Sequence, residues 1–92
     1  MVDLSIILPV YNHAPYIKQA IDSVLMQKVN FTYEVLIGED CSTDNSREIL
    51  KKLEKDLPSN FHIFYREKNM GGKGEGNFND LYKRMKGRYL IV

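Results

Sequence analysis

The sequence predicts an α/β protein built on a mostly parallel sheet of about four strands, with helices on both faces. Short apolar runs typical of buried strands alternate with segments whose apolar residues recur at helical spacing. The resulting order β-α-β-α-β-α-β implies right-handed crossovers and therefore parallel strands. A length of 92 residues, 43% of them hydrophobic and 27% charged, fits one small globular domain.

The first strand, helix and second strand are predicted from the apolar pattern. Leu4 to Val10 is apolar except for Ser5 and Pro9, which indicates a buried strand. A turn follows, and Pro15 suits the first turn of a helix. Five apolar residues of that helix are expected to face the sheet: Ile17, Ala20, Ile21, Val24 and Leu25. Val35 to Gly38 predicts the second strand.

The second helix follows an acidic turn. Thr43 or Asp44 can cap it, because a side-chain oxygen at this position accepts hydrogen bonds from the free amides of the first turn. The helix is expected to bury Ile49, Leu50, Leu53 and Leu57. Pro58 is expected to end it, since proline cannot continue a helix.

The last third of the chain predicts a strand, a loop, a helix and a strand. Phe61 to Tyr65 alternates large apolar residues with His62, and Arg66 to Asn77 is glycine-rich and expected to be irregular. One face of the third helix is marked by Phe78, Leu81, Tyr82 and Met85. Gly87 fits the end of this helix, and Tyr89 to Val92 predicts the fourth strand.

Composition excludes several classes of protein. The net charge of +1 gives no general attraction to nucleic acid or anionic membrane, so no nucleic-acid partner is expected. The single cysteine, Cys41, cannot form an internal disulfide, which favours a reducing compartment. No signal peptide is visible, and no apolar run approaches the about 20 residues that span a bilayer. We expect a cytoplasmic protein, with the inner face of the cell membrane as an open alternative.

Polar groups follow the first three strands at the points where the chain enters loops. They are Pro9, Tyr11 and Asn12, then Glu39, Asp40, Cys41 and Ser42, then Arg66 with Asn69 to Asn77. In a parallel sheet these loops converge on one edge, where ligands bind. The inventory suits a nucleotide, because a ring can stack on a base and a carboxylate can accept from a base N–H or a ribose hydroxyl. Lysine and glycine amides can contact phosphate.

Each of these groups also has a structural alternative. Tyr11 can merely cover the sheet edge, and Asp44 can act as a helix cap. Glu39 can be solvated or paired with a lysine, while Asp40 can order the turn by accepting loop amides. Cys41 has no visible activating base, which disfavours a catalytic thiol.

The glycine run from Gly71 to Gly76 matches no phosphate-binding fingerprint. No serine or threonine follows Lys73, as a Walker loop would require, and a dinucleotide motif belongs after the first strand. The run therefore predicts a flexible loop more strongly than a phosphate site.

Four segments in order resemble the motifs of family 2 glycosyltransferases, inverting enzymes with the GT-A fold. Ser5 to Asn12 resembles the start of that family, and Glu39 to Asp44 stands where the family has an acid pair followed by Gly-Ser-Thr-Asp. The Asn-x-Gly loop with a following asparagine is matched by Asn69, Gly71 and Asn77, and the Gly-x-Tyr-apolar strand by Lys86 to Val92.

Two positions depart from the family pattern. Glu39 replaces the commoner aspartate, and Cys41 replaces the commoner glycine. The second departure means that the turn at Cys41 either does not need positive φ or tolerates it at some cost.

The resemblance implies roles for the matching residues. Asp40 would read the base, typically uracil of a UDP-sugar, since a carboxylate is a strong acceptor for uracil N3–H. Residues from Asn69 to Lys73 would lie near the base or the diphosphate. The predicted nucleotide-sugar-binding residues are Pro9, Tyr11, Asn12, Glu39, Asp40, Ser42, Asn69, Gly72 and Lys73. No catalytic or metal-binding residue is predicted in this chain.

The resemblance also implies a larger enzyme. In the family, the strand matching Tyr89 to Val92 runs into an Asp-x-Asp motif that holds Mg2+ or Mn2+, and the general base lies further on. We therefore expect residues 1–92 to be an N-terminal nucleotide-sugar-binding fragment, the first half of a Rossmann-like GT-A domain, truncated before that motif and inactive alone. The whole enzyme would transfer a sugar from a nucleotide-diphosphate sugar to a saccharide or lipid-linked acceptor, with inversion, in polysaccharide biosynthesis. Truncation would expose apolar surface, which favours a homodimer through that surface.

Three other interpretations stay open. The chain can be a stand-alone, non-catalytic nucleotide-binding module that ends naturally at Val92. A flavodoxin-like signalling domain would use Glu39 and Asp40 as a phosphoacceptor pocket, although that fold places its reactive acid on a later strand. A nucleotidyltransferase would carry a glycine- and arginine-rich loop after the first strand, where this chain has Tyr11, Asn12 and His13.

Overall fold

A computed structural model describes residues 2–71 and 75–87 and the backbone of 89–91, in which strands and helices alternate. The strands are β1 (Leu4–Val10), β2 (Tyr33–Glu39), β3 (Phe61–Tyr65) and β4 (Tyr89–Ile91), and the helices are α1 (Ile17–Leu25), α2 (Ser46–Glu54) and α3 (Glu75–Arg84). The sheet has the order β3-β2-β1-β4, and every neighbouring pair is parallel. The predicted α/β fold class is confirmed.

The strand register brings three loops to the same level at the carboxyl edge of the sheet. Val10 lies opposite Glu39, and Glu39 lies opposite Tyr65. The pairing continues past the strand ends, since the Asp40 amide donates to the Val10 carbonyl at 2.8 Å and the Arg66 amide to the Glu39 carbonyl at 2.9 Å. The loops that begin at Tyr11, Asp40 and Arg66 therefore start side by side.

Helices cover both faces of the sheet, because alternate residues of each strand point to opposite sides. On one face, Ile37 and Val35 of β2 belong to a cluster with Ile21 of α1 and Leu50 of α2. On the other face, Leu36 of β2 packs with Ile7 of β1 and Leu81 of α3. Burial of these side chains contributes about 1.5–3 kcal/mol each and anchors the helices whose first turns border the site.

Several predicted boundaries are corrected by the structure. Helix α2 ends at Glu54 with Lys55 as its cap, before Pro58, so Leu57 is half-buried beyond the helix and not within it. Helix α3 begins at Glu75, which shortens the irregular segment predicted up to Asn77. In α1, Leu25 is 41% exposed and so does not face the sheet as predicted.

The prediction that Gly87 ends the third helix is also wrong, because α3 ends at Arg84. A Cβ at Gly87 would lie 2.5 Å from the Ser5 backbone nitrogen. The glycine is therefore required by a close approach to β1, and not by a helix end.

Candidate functional site

A cavity of about 440 Å³ opens at the carboxyl edge of the sheet, where the three loops meet. It is lined by Pro9, Val10, Tyr11, His13, Asp40, Asn69 and Asn77. Four of the predicted binding residues are among them: Pro9, Tyr11, Asp40 and Asn69. Gly72 and Lys73 lie outside the described residues.

Asp40 is the carboxylate on the cavity wall. The residue is 1% exposed, and its Oδ1 accepts a hydrogen bond from the Met70 amide at 2.8 Å. Its backbone carbonyl accepts from Nδ2 of Asn69 at 3.2 Å. Within the part of the chain that the structure describes, Oδ2 of Asp40 has no hydrogen-bond partner. Oδ1 thus orders the loop by accepting a loop amide, which was the alternative role considered for Asp40. Oδ2 remains available to a ligand at the cavity.

Glu39 is held by internal contacts and does not line the cavity. The residue is fully buried; Oε1 accepts from the Ser42 amide at 2.8 Å, and Oε2 accepts from Nε of Arg47 at 2.7 Å. Burial acts to raise the pKa of Glu39, but the hydrogen bonds from Ser42 and Arg47 outweigh it and hold the pKa below its usual value. The cationic partner is therefore an arginine, where the sequence suggested a lysine.

Asn12 and Ser42 tie the loop after β1 to the loop after β2. The Asn12 amide donates to Oγ of Ser42 at 3.0 Å, and Oδ1 of Asn12 accepts from the amides of Thr43 at 2.8 Å and Asp44 at 3.2 Å. The left-handed backbone of Asn12, with φ of 55°, is one that asparagine tolerates better than most residues. Neither Asn12 nor Ser42 is on the cavity wall, so both support the site from behind.

The same two loops are joined again through Asp44 and Ser46. The His13 amide donates to Oγ of Ser46 at 2.9 Å, and the Ala14 amide donates to Oδ2 of Asp44 at 3.3 Å. Oδ1 of Asp44 accepts from the Ser46 amide at 2.9 Å, at the first residue of α2. The hydrogen bond from the Ser46 hydroxyl is the main cause that lowers the pKa of Asp44. The predicted cap at Thr43 or Asp44 is therefore wrong in position, since Asn45 is the cap residue, but Asp44 does accept from the first amide of α2.

Cys41 has a left-handed backbone with φ of 56°, which decides between the two alternatives for this position. The turn does require positive φ, and the chain tolerates a residue with a Cβ there at some cost. The thiol donates a long contact of 3.5 Å to the Glu67 carbonyl. The position thus keeps the conformation that the family's glycine would adopt more easily.

Asn77 is a cavity residue that was not among the predicted binding residues. It is 1% exposed; Nδ2 donates to the Gly38 carbonyl at 2.8 Å, and Oδ1 accepts from Nε of Arg66 at 3.1 Å. A Cβ at Gly38 would lie 2.1 Å from Oδ1 of Asn77, so the amide occupies the space of the missing side chain. A glycine inside an apolar strand is the sequence signal that could have pointed to such a close approach.

Arg66 fixes Asn77 from the other side. Its Nη1 pairs with Oδ2 of Asp80 at 2.8 Å, and its carbonyl accepts from Nη2 of Arg47. The hydrogen bond from Arg84 is the main cause that lowers the pKa of Asp80, and the charge of Arg66 acts in the same direction. Because Asp80 holds the guanidinium, Oδ1 of Asn77 must face Arg66 and Nδ2 must face Gly38.

Tyr11 supplies the exposed aromatic surface of the site. Its side chain is 42% exposed and lines the cavity beside Pro9. A ring that is accessible on this edge can stack on a planar base, an interaction worth about 1–3 kcal/mol per base. Together with the Asp40 carboxylate, the cavity offers a flat apolar surface and an acceptor in fixed positions.

Two further properties concern metals and membranes. The described residues contain no group of three or more His, Cys, Asp or Glu side chains that could hold a metal ion. Among the helices that the structure describes, none is long and apolar enough to cross a membrane.

The fold and the motifs are those of the GT-A type, and comparison with known families agrees. The profile of Glycosyl transferase family 2 matches residues 5–92. The chain belongs to this family.

Similar proteins include enzymes that glycosylate poly(ribitol-phosphate). The poly(ribitol-phosphate) beta-glucosyltransferase of Bacillus spizizenii is 36% identical over 89 residues, which are 96% of this chain and 14% of that protein. The poly(ribitol-phosphate) beta-N-acetylglucosaminyltransferase TarS of Staphylococcus aureus is 33% identical over 92 residues, 99% of this chain and 16% of that protein. The chain spans a third or less of the length of the curated relatives that it matches.

Solved structures show the same fold. The structure of S. aureus TarS 1–349 in complex with UDP matches with a TM-score of 0.76 at 31% identity. The match covers 98% of this chain and 26% of the TarS chain. The mannosyltransferase PcManGT of Pyrobaculum calidifontis, in complex with GDP-Man and Mn2+, has a TM-score of 0.78 and covers 97% of this chain and 26% of its own. At 19% identity this second likeness supports the fold alone.

Proposed function

We propose that this chain is the nucleotide-sugar-binding part of an inverting glycosyltransferase that uses a UDP-sugar. The acceptor is a saccharide or a lipid-linked saccharide in polysaccharide synthesis. Family membership and the relatives that act on poly(ribitol-phosphate) support the reaction class. The likeness to TarS in complex with UDP and with UDP-GlcNAc supports the donor class.

The position of Asp40 carries the proposal. One carboxylate oxygen is engaged by the Met70 amide, so a base meets a single anionic acceptor, Oδ2. Uracil presents a single N3–H donor between two carbonyls, which matches one acceptor. Guanine presents N1–H beside an amino group and would favour two free carboxylate oxygens. The buried carboxylate therefore suits a uracil base better than a guanine base.

The other residues divide into contact and support. We propose that Pro9, Tyr11, Asp40 and Asn69 contact the nucleotide, with the Tyr11 ring against the base. Three further predicted residues act through the loops that they hold: Asn12, Glu39 and Ser42. The predicted contacts of Gly72 and Lys73 with the base or the diphosphate remain part of the proposal.

Transfer chemistry needs more than this cavity. The departing nucleoside diphosphate develops charge that must be neutralised, and the acceptor hydroxyl needs a positioned base. A divalent ion such as Mg2+ or Mn2+ would supply that neutralisation. We propose that residues 1–92 bind the nucleotide and do not transfer sugar by themselves, because the family resemblance places the metal-binding motif and the general base beyond Val92.

Calorimetry with UDP tests the proposal. Asp40→Ala should weaken binding to the full-length polypeptide by about 1.5–3 kcal/mol, the range for a hydrogen bond to a charged group. Asp56→Ala is a matched control, because Asp56 is an exposed acid beyond the end of α2 and does not line the cavity. Equal affinity of the Asp40→Ala variant and the parent protein would contradict the base-reading role.

A further inference from the structure

A second buried polar cluster lies at the amino-terminal end of the sheet, opposite to the cavity. Ser5 of β1 and Glu34 of β2 are neighbours in the strand register and are 0% and 4% exposed. Oγ of Ser5 donates to Oε2 of Glu34 at 2.6 Å. Among the described residues, Glu34 has no cationic side chain as a partner. A buried carboxylate without a cation is costly unless hydrogen bonds compensate it, so its donors are informative.

Two consecutive amides of the connection from α3 to β4 complete the cluster. The Lys86 amide donates to Oε2 of Glu34 at 2.5 Å, and the Gly87 amide donates to Oγ of Ser5 at 2.8 Å. The serine hydroxyl thus accepts from Gly87 while it donates to Glu34, and the negative charge strengthens both bonds to Glu34. We call these four residues the β4 clasp.

At Gly87 the backbone that leads into β4 lies against the backbone of β1, with no room for a side chain between them. A Cβ at this position would lie 2.5 Å from the Ser5 nitrogen and 2.6 Å from the Leu4 carbonyl carbon. Both are backbone atoms of β1 and cannot move aside as a side chain could. The backbone at Gly87 therefore lies directly against the start of β1.

The two amides of the clasp, from Lys86 and Gly87, lie just before the ladder that joins β4 to β1. Leu4 pairs with Tyr89, Ser5 with Leu90 and Ile6 with Ile91. A slip of one residue in such a short ladder would move β4 by about 3.3 Å and turn its side chains to the opposite faces. The clasp defines which register is adopted, because its two amides precede the ladder by only a few residues.

This register fixes how far β4 extends beside β1 toward the cavity. Strand β4 runs parallel to β1, and Pro9 lies three residues, or about 10 Å, beyond the last described pair at Ile6. We infer that Ser5 and Glu34 are positioning residues for sugar transfer, which set the carboxyl end of β4 in place beside the nucleotide cavity. They touch no substrate. The catalytic consequence rests on the proposed function, whereas the register claim rests on the clasp geometry.

Hydrogen exchange of the full-length polypeptide tests the register claim. Glu34→Ala should speed exchange in the segment 85–91 by about tenfold or more, while the β2 and β3 segments stay within about threefold of the parent protein. Glu34→Gln keeps an acceptor oxygen in the same place and should retain protection of 85–91 within about threefold. Glu48→Ala, at an exposed position of α2, controls for removal of a carboxylate.

Ser5→Ala keeps the test decisive if Glu34→Ala does not fold. It removes the acceptor of the Gly87 amide and leaves the Lys86 amide bonded to Glu34, so it should also expose the segment 85–91 selectively. Unchanged exchange there in both variants, or equal acceleration in every strand, would overturn the register claim.

Turnover per UDP-binding site tests the catalytic consequence. The sites that remain in Glu34→Ala should bind UDP with an affinity within about threefold of the parent protein, but turn over at least about tenfold more slowly per binding site. Glu34→Gln should restore the rate. Normalising to binding sites removes the effect of a smaller folded fraction. Unchanged turnover per site in Glu34→Ala would overturn the positioning role. If the parent protein binds no UDP, the proposed function fails, and the exchange result still decides the register claim.

Discussion

The contact between Gly38 and Asn77 gives a prediction whose size can be worked from the structure. Gly38→Ala places a Cβ 2.1 Å from Oδ1 and 2.8 Å from Cγ of Asn77, so the amide must move. Movement breaks its bonds to the Gly38 carbonyl and to Nε of Arg66, both at buried or half-buried positions. Each unpaired group costs about 1–3 kcal/mol, partly offset by the about 0.4–1 kcal/mol gained in the unfolded chain on replacing glycine. We expect a loss of about 2–4 kcal/mol in the free energy of unfolding.

The double variant makes this reasoning testable. Asn77→Ala alone leaves the same two groups unpaired and should cost a similar amount. In that background Gly38→Ala meets no amide and should cost less than about 0.5 kcal/mol, which gives a coupling energy of at least about 1.5 kcal/mol. Urea unfolding of the parent, the two single variants and the double variant measures this coupling. Additive losses would refute the claim that the Asn77 amide occupies the missing side chain of Gly38.

Two further predictions concern the turn after β2. Cys41→Gly should be about 0.5–1 kcal/mol more stable than Cys41→Ala, because both lack the thiol contact and only glycine relieves the left-handed backbone; equal stabilities would contradict this. The pKa of Glu39 is lowered in the folded state, so its contribution is complete above the ordinary value of 4.5 and is lost as the pH falls through the folded pKa. Glu39→Gln should therefore flatten the loss of unfolding free energy between about pH 5 and pH 3. An unchanged slope would show that the bonds from Ser42 and Arg47 do not couple to stability.

Much of the fold follows from local patterns in the sequence. A nearly continuous apolar run located β1 at Leu4–Val10, and alternation located β3 at Phe61–Tyr65, both with the bounds that the structure has. The ends of α2 and α3 were missed by several residues, because helix ends depend on tertiary contacts that propensity does not contain. Gly87 shows the same limit, since its function is a contact with Ser5, which is far away in the sequence.

The sequence predicted where the candidate site lies, but not which residues line the cavity and which hold its loops. Strand order alone placed Tyr11, Asp40 and Asn69 at one edge, and all three line the cavity. Only the family resemblance singled out Asp40 over Glu39; the residue pattern alone could not, because the difference lies in which neighbour satisfies each carboxylate. Glu39 finds Arg47 on α2, whereas Asp40 keeps one oxygen without a partner among the described residues.

The measurement that tests the central claim most directly is a change of base preference in Asp40→Asn. The amide oxygen can still accept from the Met70 amide, so the loop stays ordered while an NH2 donor replaces the free oxygen at the cavity. Uracil N3–H then meets a donor, whereas N3 of cytosine is an acceptor. Calorimetry with UDP and CDP should show the ratio of their dissociation constants moving toward CDP by at least about tenfold, or 1.4 kcal/mol. An unchanged ratio would contradict the conclusion that Asp40 reads the base of the nucleotide sugar.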